Sequence, residues 1–259
     1  MADRMYGYMM PGSQESLRIE MPKGQNISGY GVGILHLDNV WYPMVPGNVV
    51  NAWTYDFPVR MKAVKGLDTP TLHSGSPKAF EEILKAAKEL EKEGCRAISA
   101  ACGFFAHFQK RLADEMDIPV AVSSLVQLPW IRTLLKKNQK IGIMTANAVA
   151  ATDELFEHCG VERGNDLVIA DLRHGENFCS IMEDRGSFDN AGVMNDVVSA
   201  AKKMVEENPD IGAILLECSD MPPYAYAIQA ATGRPVFDFI TLIYWLQRGV
   251  MQKPYGGWI

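Results

Sequence analysis

The chain has 259 residues, of which 47% are hydrophobic, and a formal net charge of −6, so it can fill one large or two modest cores. The acidic balance and the lack of a long Lys/Arg cluster exclude a nucleic-acid surface. The longest charge-free apolar stretches, near 97–108 and 239–246, are too short to span a bilayer.

Residues 1–29 are rich in Met, Gly, Pro and polar residues without a sustained period, and read as an arm over the body or over a partner subunit. They open on Met-Ala-Asp-Arg with no apolar core, so no signal peptide is expected. A strand is predicted from Tyr30 to about Asp38, followed by an aromatic loop over 40–57 that carries Trp41, Tyr42, Trp53, Tyr55 and Phe57. A second strand covers about 57–64. Ser76-Pro77 then opens a helix with Phe80, Ile83, Leu84, Ala87 and Leu90 on one face, stopped by Gly94. The next strand runs into Cys102, and Phe105, Phe108, Leu112 and Met116 trace a helix face after it. Strand 119–123 and helix 125–135 complete this half.

The second half predicts strand 140–145, helix 148–158, strand 167–172, a loop over 173–190, and a helix marked by Val193, Val197, Ala201 and Val205. Strand 211–217, a helix after Pro222-Pro223, strand 235–239 and a last helix to about Arg248 follow. Near-continuous apolar strands alternating with helices belong to parallel sheets covered on both faces. The expected fold is α/β, with two pseudo-symmetric lobes and the active site in the cleft between them. Lobe 1 takes 30–125, completed by about 235–259, and lobe 2 takes 126–234.

The halves share a frame. Gly33-Ile34-Leu35-His36-Leu37-Asp38 matches Gly142-Ile143-Met144-Thr145-Ala146-Asn147, and an apolar run stops at Cys102 in one half and at Cys218 in the other. A Pro-Val strand opening follows each cysteine 17 residues later, at Pro119 and Pro235. The distances from Gly33 to Cys102 and from Gly142 to Cys218, 69 and 76 residues, differ by a seven-residue insertion. Ligands of parallel α/β sheets bind beyond the carboxyl ends of the strands, where both cysteines fall. A thiol that precedes a helix is expected to feel the positive end of the dipole, which favours the thiolate. Two such thiols form an acid/base pair.

Cys95, Cys159 and Cys179 lack the frame and read as structural; five cysteines without dense spacing are expected to be reduced, in a cytoplasmic protein. The five histidines stand singly and no Cys-x-x-Cys occurs, so no metal is expected. His107 reads as a packing residue and Arg173-His174 as a surface pair. Gly31-x-Gly33 lacks the third glycine of a dinucleotide site.

With these features the chain resembles the aspartate/glutamate racemase superfamily, which also holds hydantoin racemases, arylmalonate decarboxylases and maleate isomerases. The resemblance is carried by Gly-x-Gly-Ile-Leu at 31–35, Ala-Ala-Cys-Gly at 100–103, Lys-Ile-Gly-Ile-Met-Thr-Ala at 140–146 and Leu-Leu-Glu-Cys-Ser at 215–219. It implies a cofactor-independent isomerase, a racemase or epimerase of a small carboxylic acid or amino-acid-like substrate. Cys102 and Cys218 would be the catalytic thiols. Asp38, Asn39, Gly103, Thr145, Asn147 and Ser219 would hold the substrate carboxylate, and a homodimer or larger homo-oligomer is expected. The departures are Gly103-Phe104-Phe105 where racemases have Asn-Thr, and Ser219-Asp220 where they have Thr. They put an aspartate or glutamate substrate in doubt and favour a bulkier or less polar acid. The alternatives are a decarboxylase-like or maleate-isomerase-like enzyme, or a non-catalytic ligand-binding homologue.

Overall fold

The computed structural model describes residues 23–253 and 255–259; most of the expected N-terminal arm, residues 1–22, lies outside the described residues. Strand β1 (Val32–His36) is central to a three-stranded parallel sheet, flanked by β2 (Val59–Ala63) and β3 (Ala97–Ala100). Between them lie α1 (Thr69–His73) and α2 (Phe80–Lys92), and α3 (Gln109–Glu115) and α4 (Leu128–Leu134) lead out of the lobe. The second sheet repeats the plan. Its central strand β4 (Lys140–Thr145) is followed by α5 (Asp153–His158), β5 (Leu167–Asp171), α6 (Cys179–Met182), α7 (Asn190–Glu207) and β6 (Ile211–Leu216). After α8 (Ala225–Thr232) come β7 (Val236–Phe237) and α9 (Phe239–Val250), and the strand order is β5-β4-β6-β7. In each lobe the first strand is thus central, and the strand that leads to the cysteine pairs with it.

The shared glycines have a packing reason. A Cβ on Gly33 would approach Leu90 and Cys95 to 3.0–3.1 Å, and one on Gly142 would come within 2.4 Å of the Met204 terminal methyl. Bare backbone at these two points lets α2 and α7 lie close against their sheets. On β4 and β6, Ile141, Ile143, Ala213 and Leu215 join the large core with β1, β3 and α9. The alternate residues Met144, Ile214 and Leu216 pack with Val193, Val197, Ala201 and Met204 of α7, the two-residue alternation of a strand buried on both faces. The closing segment is shared, since β7 pairs with β6 while α9 packs in the core of the first lobe.

Several local expectations change. Ser76 makes no side-chain cap; a 3₁₀ turn over Pro77–Ala79 precedes α2, which starts at Phe80. The expected strand 119–123 reduces to one parallel bridge, Val120 to Ile98, and helix 148–158 begins only at Asp153 behind a Thr152 cap. Helix α1 is an addition: Asp68 caps it by accepting from Thr71 N–H, with Pro70 in its first turn. Among the described residues no helix is long and apolar enough to cross a membrane.

Candidate active site

The two cysteines occupy equivalent registers. The residue before each gives its N–H to the central strand, Ala101 to Leu35 O and Glu217 to Met144 O, both at 2.8 Å. Each chain then leaves the sheet, so both side chains enter the same cavity of about 60 Å³. That space holds roughly five water-sized groups, which suits a compact acyclic acid. Of the Phe pair, Phe105 is buried in the core, and Phe104 forms a wall of the cavity.

The aromatic loop roofs the cavity and ties the lobes together. Tyr42 lies across the ends of β1 and β3, where its hydroxyl accepts from Leu37 N–H at 3.1 Å and donates to Ala101 O at 3.0 Å. Trp41 N–H donates to Asp184 of the opposite lobe, and the Trp41 ring meets Phe188 edge-on at 5.6 Å. Asn48 Nδ2 donates to Asp220 Oδ1 at 2.8 Å. Tyr42→Phe orphans two buried backbone groups at once. It should cost about 2 kcal/mol of unfolding free energy in a urea titration, because the strand ends lose their tie.

Neither thiol has the helix-dipole setting expected for it. A six-residue 3₁₀ segment, Gly103–Phe108, follows Cys102, and only a 3₁₀ turn at Pro222–Tyr224 stands beyond Cys218. Burial, with Glu217 and Asp220 close by, pushes the Cys102 thiol up; burial, then Asp220 and Glu217, pushes Cys218 well up. Both therefore rest as neutral thiols. Each has a polar side chain beside it. Cys218 Sγ donates to Asp220 Oδ2 at 3.8 Å, and Cys102 Sγ lies 4.0 Å from His73 Nε2. Burial drives Asp220 up to about 6, against the pull of Asn48 and Cys218. His73 is pushed down to about 4 by burial, Arg173 and His107, so its ring is neutral at pH 7. Its ring lies tilted against Phe104, with centroids 4.0 Å apart, and its Nδ1 accepts from Asn147 Nδ2 at 3.3 Å, which leaves the ring proton on Nε2, facing Cys102.

Of the residues assigned from the sequence, Cys102, Gly103, Cys218 and Ser219 line the cavity. Thr145 and Asn147 stand one step behind: Thr145 donates to Glu217, and Asn147 braces His73 and accepts from Arg173 at 3.4 Å. Asp38 instead accepts Gly66 N–H, a strand-end turn, and the left-handed Asn39 is exposed beside it. Sequence reading missed His73, Glu217, Asp220 and Asp184, all of which line the cavity. Together they give three carboxyls, one weakly basic imidazole, and the rings of Trp41, Tyr42 and Phe104, with no Lys or Arg among the described residues.

Two parallel-sheet lobes that each deliver a cysteine to one cleft give the chain the fold of the aspartate/glutamate racemases, and solved structures agree. It is similar to allantoin racemase from Pseudomonas fluorescens (TM-score 0.59, 15% identity, covering 88% of this chain and 99% of that one). It is also similar to arylmalonate decarboxylase (TM-score 0.55, 16% identity, 88% and 94%). No protein-family profile matches the chain. Sequence relatives are more specific. A dimethylsulfoniopropionate lyase from Durusdinium sp. clade D is 33% identical over 242 residues, covering 91% of this chain and 80% of that one. Dimethylsulfoniopropionate lyase 7 of Emiliania huxleyi (strain CCMP1516) is 31% identical over 237 residues, covering 87% and 69%. The chain belongs to the dimethylsulfoniopropionate lyase family. This overturns the racemase or epimerase reading and the isomerase class with it, because the relatives are lyases. The decarboxylase alternative, also a bond-cleaving reaction on this fold, came nearer.

Proposed function

We propose that this protein is a lyase that cleaves dimethylsulfoniopropionate, or a closely similar sulfonium acid, into dimethyl sulfide and acrylate. The observation that carries the reading, beside the family, is the charge balance of the cavity. Asp184 and Asp220 line it with three aromatic rings and, among the described residues, no Lys or Arg. Carboxylates and ring faces favour a cation that has left water, and a sulfonium is one.

The chemistry follows from the thiol and its neighbour. Asp220 takes the proton of Cys218, to which it is already hydrogen-bonded. The incoming sulfonium offsets the burial that keeps the thiol neutral, so the thiolate forms when substrate is present. The thiolate removes a proton from the carbon beside the substrate carboxylate. That C–H electron pair becomes the new double bond, and the C–S pair departs with neutral dimethyl sulfide, which needs no acid to leave. One base suffices. Cys102, on the other side of the cavity, then orients the substrate rather than returning a proton. Ser219 and the strand-end N–H groups suit the carboxylate.

Purified protein given dimethylsulfoniopropionate should release dimethyl sulfide to the headspace and acrylate to solution in equal amounts. The uncharged carbon analogue 4-methylpentanoate should inhibit at least tenfold more weakly than the sulfonium binds. Failure to form either product under any condition would sink the reading.

A further inference from the structure

The cavity floor carries a carboxyl with one oxygen unaccounted for. Glu217, directly after β6 and before Cys218, is 1% exposed. Its Oε2 accepts the Thr145 hydroxyl at 2.8 Å, whereas its buried Oε1 has no hydrogen-bond partner among the described residues. Buried polar oxygens seldom go unpaired, and an exception calls for an explanation. Glu217 lines the cavity, so its missing partner can arrive with a ligand. The same oxygen occupies the space a side chain at 103 would take, since a Cβ on Gly103 would fall 1.7 Å from it. Glycine at that position lets a carboxyl of the second lobe reach beneath the Cys102 loop of the first.

On the lyase reading above, we propose that Glu217 keeps its proton and uses that O–H to hold the substrate carboxylate while the neighbouring C–H bond breaks. Breaking that bond pushes electrons into the carboxylate, and a donor fixed in the cavity wall stabilises the charge as it builds. Because no Lys or Arg among the described residues lines the cavity, a neutral acid is the strong donor at hand, a use of buried carboxylic acids known from other active sites. Glu217 starts and ends the cycle protonated; the C–H proton goes to Cys218, and the C–S electron pair leaves with dimethyl sulfide.

The surroundings agree. Burial pushes Glu217 up to about 7, with the Thr145 hydroxyl pulling it back. The thiols of Cys102, Cys218 and Cys159 face it, with Asp220 and the neutral His73 next to the first two. Each of these acids, and the substrate carboxylate, favours the protonated form of Glu217 when it is itself ionised.

The test is the pH dependence of kcat/KM for dimethyl sulfide release in the wild type, Glu217→Gln and Thr145→Val. The wild type should lose activity as pH rises through about 7, up to tenfold per pH step of one. Glu217→Gln keeps an N–H donor that cannot ionise, so it should run about tenfold slower at pH 6 without the falling limb. Thr145→Val removes a bond to the ionised form and should move the limb to higher pH, a shift that a merely structural role would not produce. A falling limb unchanged in Glu217→Gln overturns the proposal. So does a wild-type profile that only rises through pH 7 while Glu217→Gln raises KM alone, the mark of an ionised partner for the sulfonium. If Glu217→Gln fails to fold, an unmoved limb in Thr145→Val overturns it alone. Wild-type protein that forms no dimethyl sulfide at any pH defeats the lyase reading itself, and this inference with it.

Discussion

Cys218→Ser should lower kcat/KM for dimethyl sulfide release by about 10³-fold, whereas Cys102→Ser should lower it by roughly tenfold. Both thiols line the same cavity, but only Cys218 has a proton acceptor beside it, since the His73 nitrogen facing Cys102 holds the ring proton. The neighbours also differ in basicity. Asp220 is pushed up to about 6 and is mostly ionised at pH 7, so it can take the Cys218 proton; His73, pushed down to about 4, is a weaker base than an ordinary imidazole. Elimination needs one proton removed and none returned, so a single thiol dominates. Serine matches cysteine closely in size but is far harder to ionise, which keeps the packing while removing the base. Asp220→Asn should imitate the Cys218 loss in part, by about 10²-fold at pH 7, and should erase the rise in activity through pH 6. Equal losses from the two cysteine variants in steady-state assays would contradict the one-base assignment.

The repeat was legible because its landmarks answer to geometry. Gly33 and Gly142 are glycines because α2 and α7 press on those strands, and Cys102 and Cys218 share a register that strand pairing imposes. What the sequence hid is convergence. Asp184 reaches the cavity from the loop after α6, Trp41 from the aromatic loop and His73 from α1, and none of these separations is periodic. Two signals were nevertheless present. Asp68-Thr69-Pro70 is a helix start that places His73 at the helix end. Glu217 ends a fully apolar strand, and an acid in that position is buried unless the chain bends away.

The racemase expectation failed for a related reason. Two mirrored thiols say that protons can be moved on either side of a carbon, but not whether the second thiol returns one. That depends on what else enters the cavity with the substrate. The loop carboxyls supply the missing information, since a site for an amino-acid dicarboxylate has no use for three acids with no Lys or Arg among the described residues beside them. The helix-dipole argument for a resting thiolate failed as well. A 3₁₀ segment replaces the helix after Cys102, and burial outweighs the donors that remain.

Glu217→Gln should make the folded protein more stable at pH 8 than the wild type, and the difference should vanish near pH 4. The sign follows from linkage. Burial raises the Glu217 carboxyl from 4.5 to about 7, so between those values the folded state holds a proton that the unfolded state has released. The group's contribution is therefore fully present below about pH 4.5 and is lost as pH rises through 7. A displacement of that size is worth about 3 kcal/mol at pH 8, less whatever the loop above relaxes. Glutamine carries no such dependence and can still accept the Thr145 hydroxyl. Urea titrations of both proteins at pH 4, 6 and 8 read the effect directly, and a gap that stays constant across the series would mean the carboxyl is not buried as described. A residue whose replacement strengthens the fold while slowing the reaction is held in place by chemistry rather than packing. Thr152, which caps α5 outside the cavity, provides the contrast: Thr152→Ala should cost about 1 kcal/mol at every pH and leave catalysis unchanged.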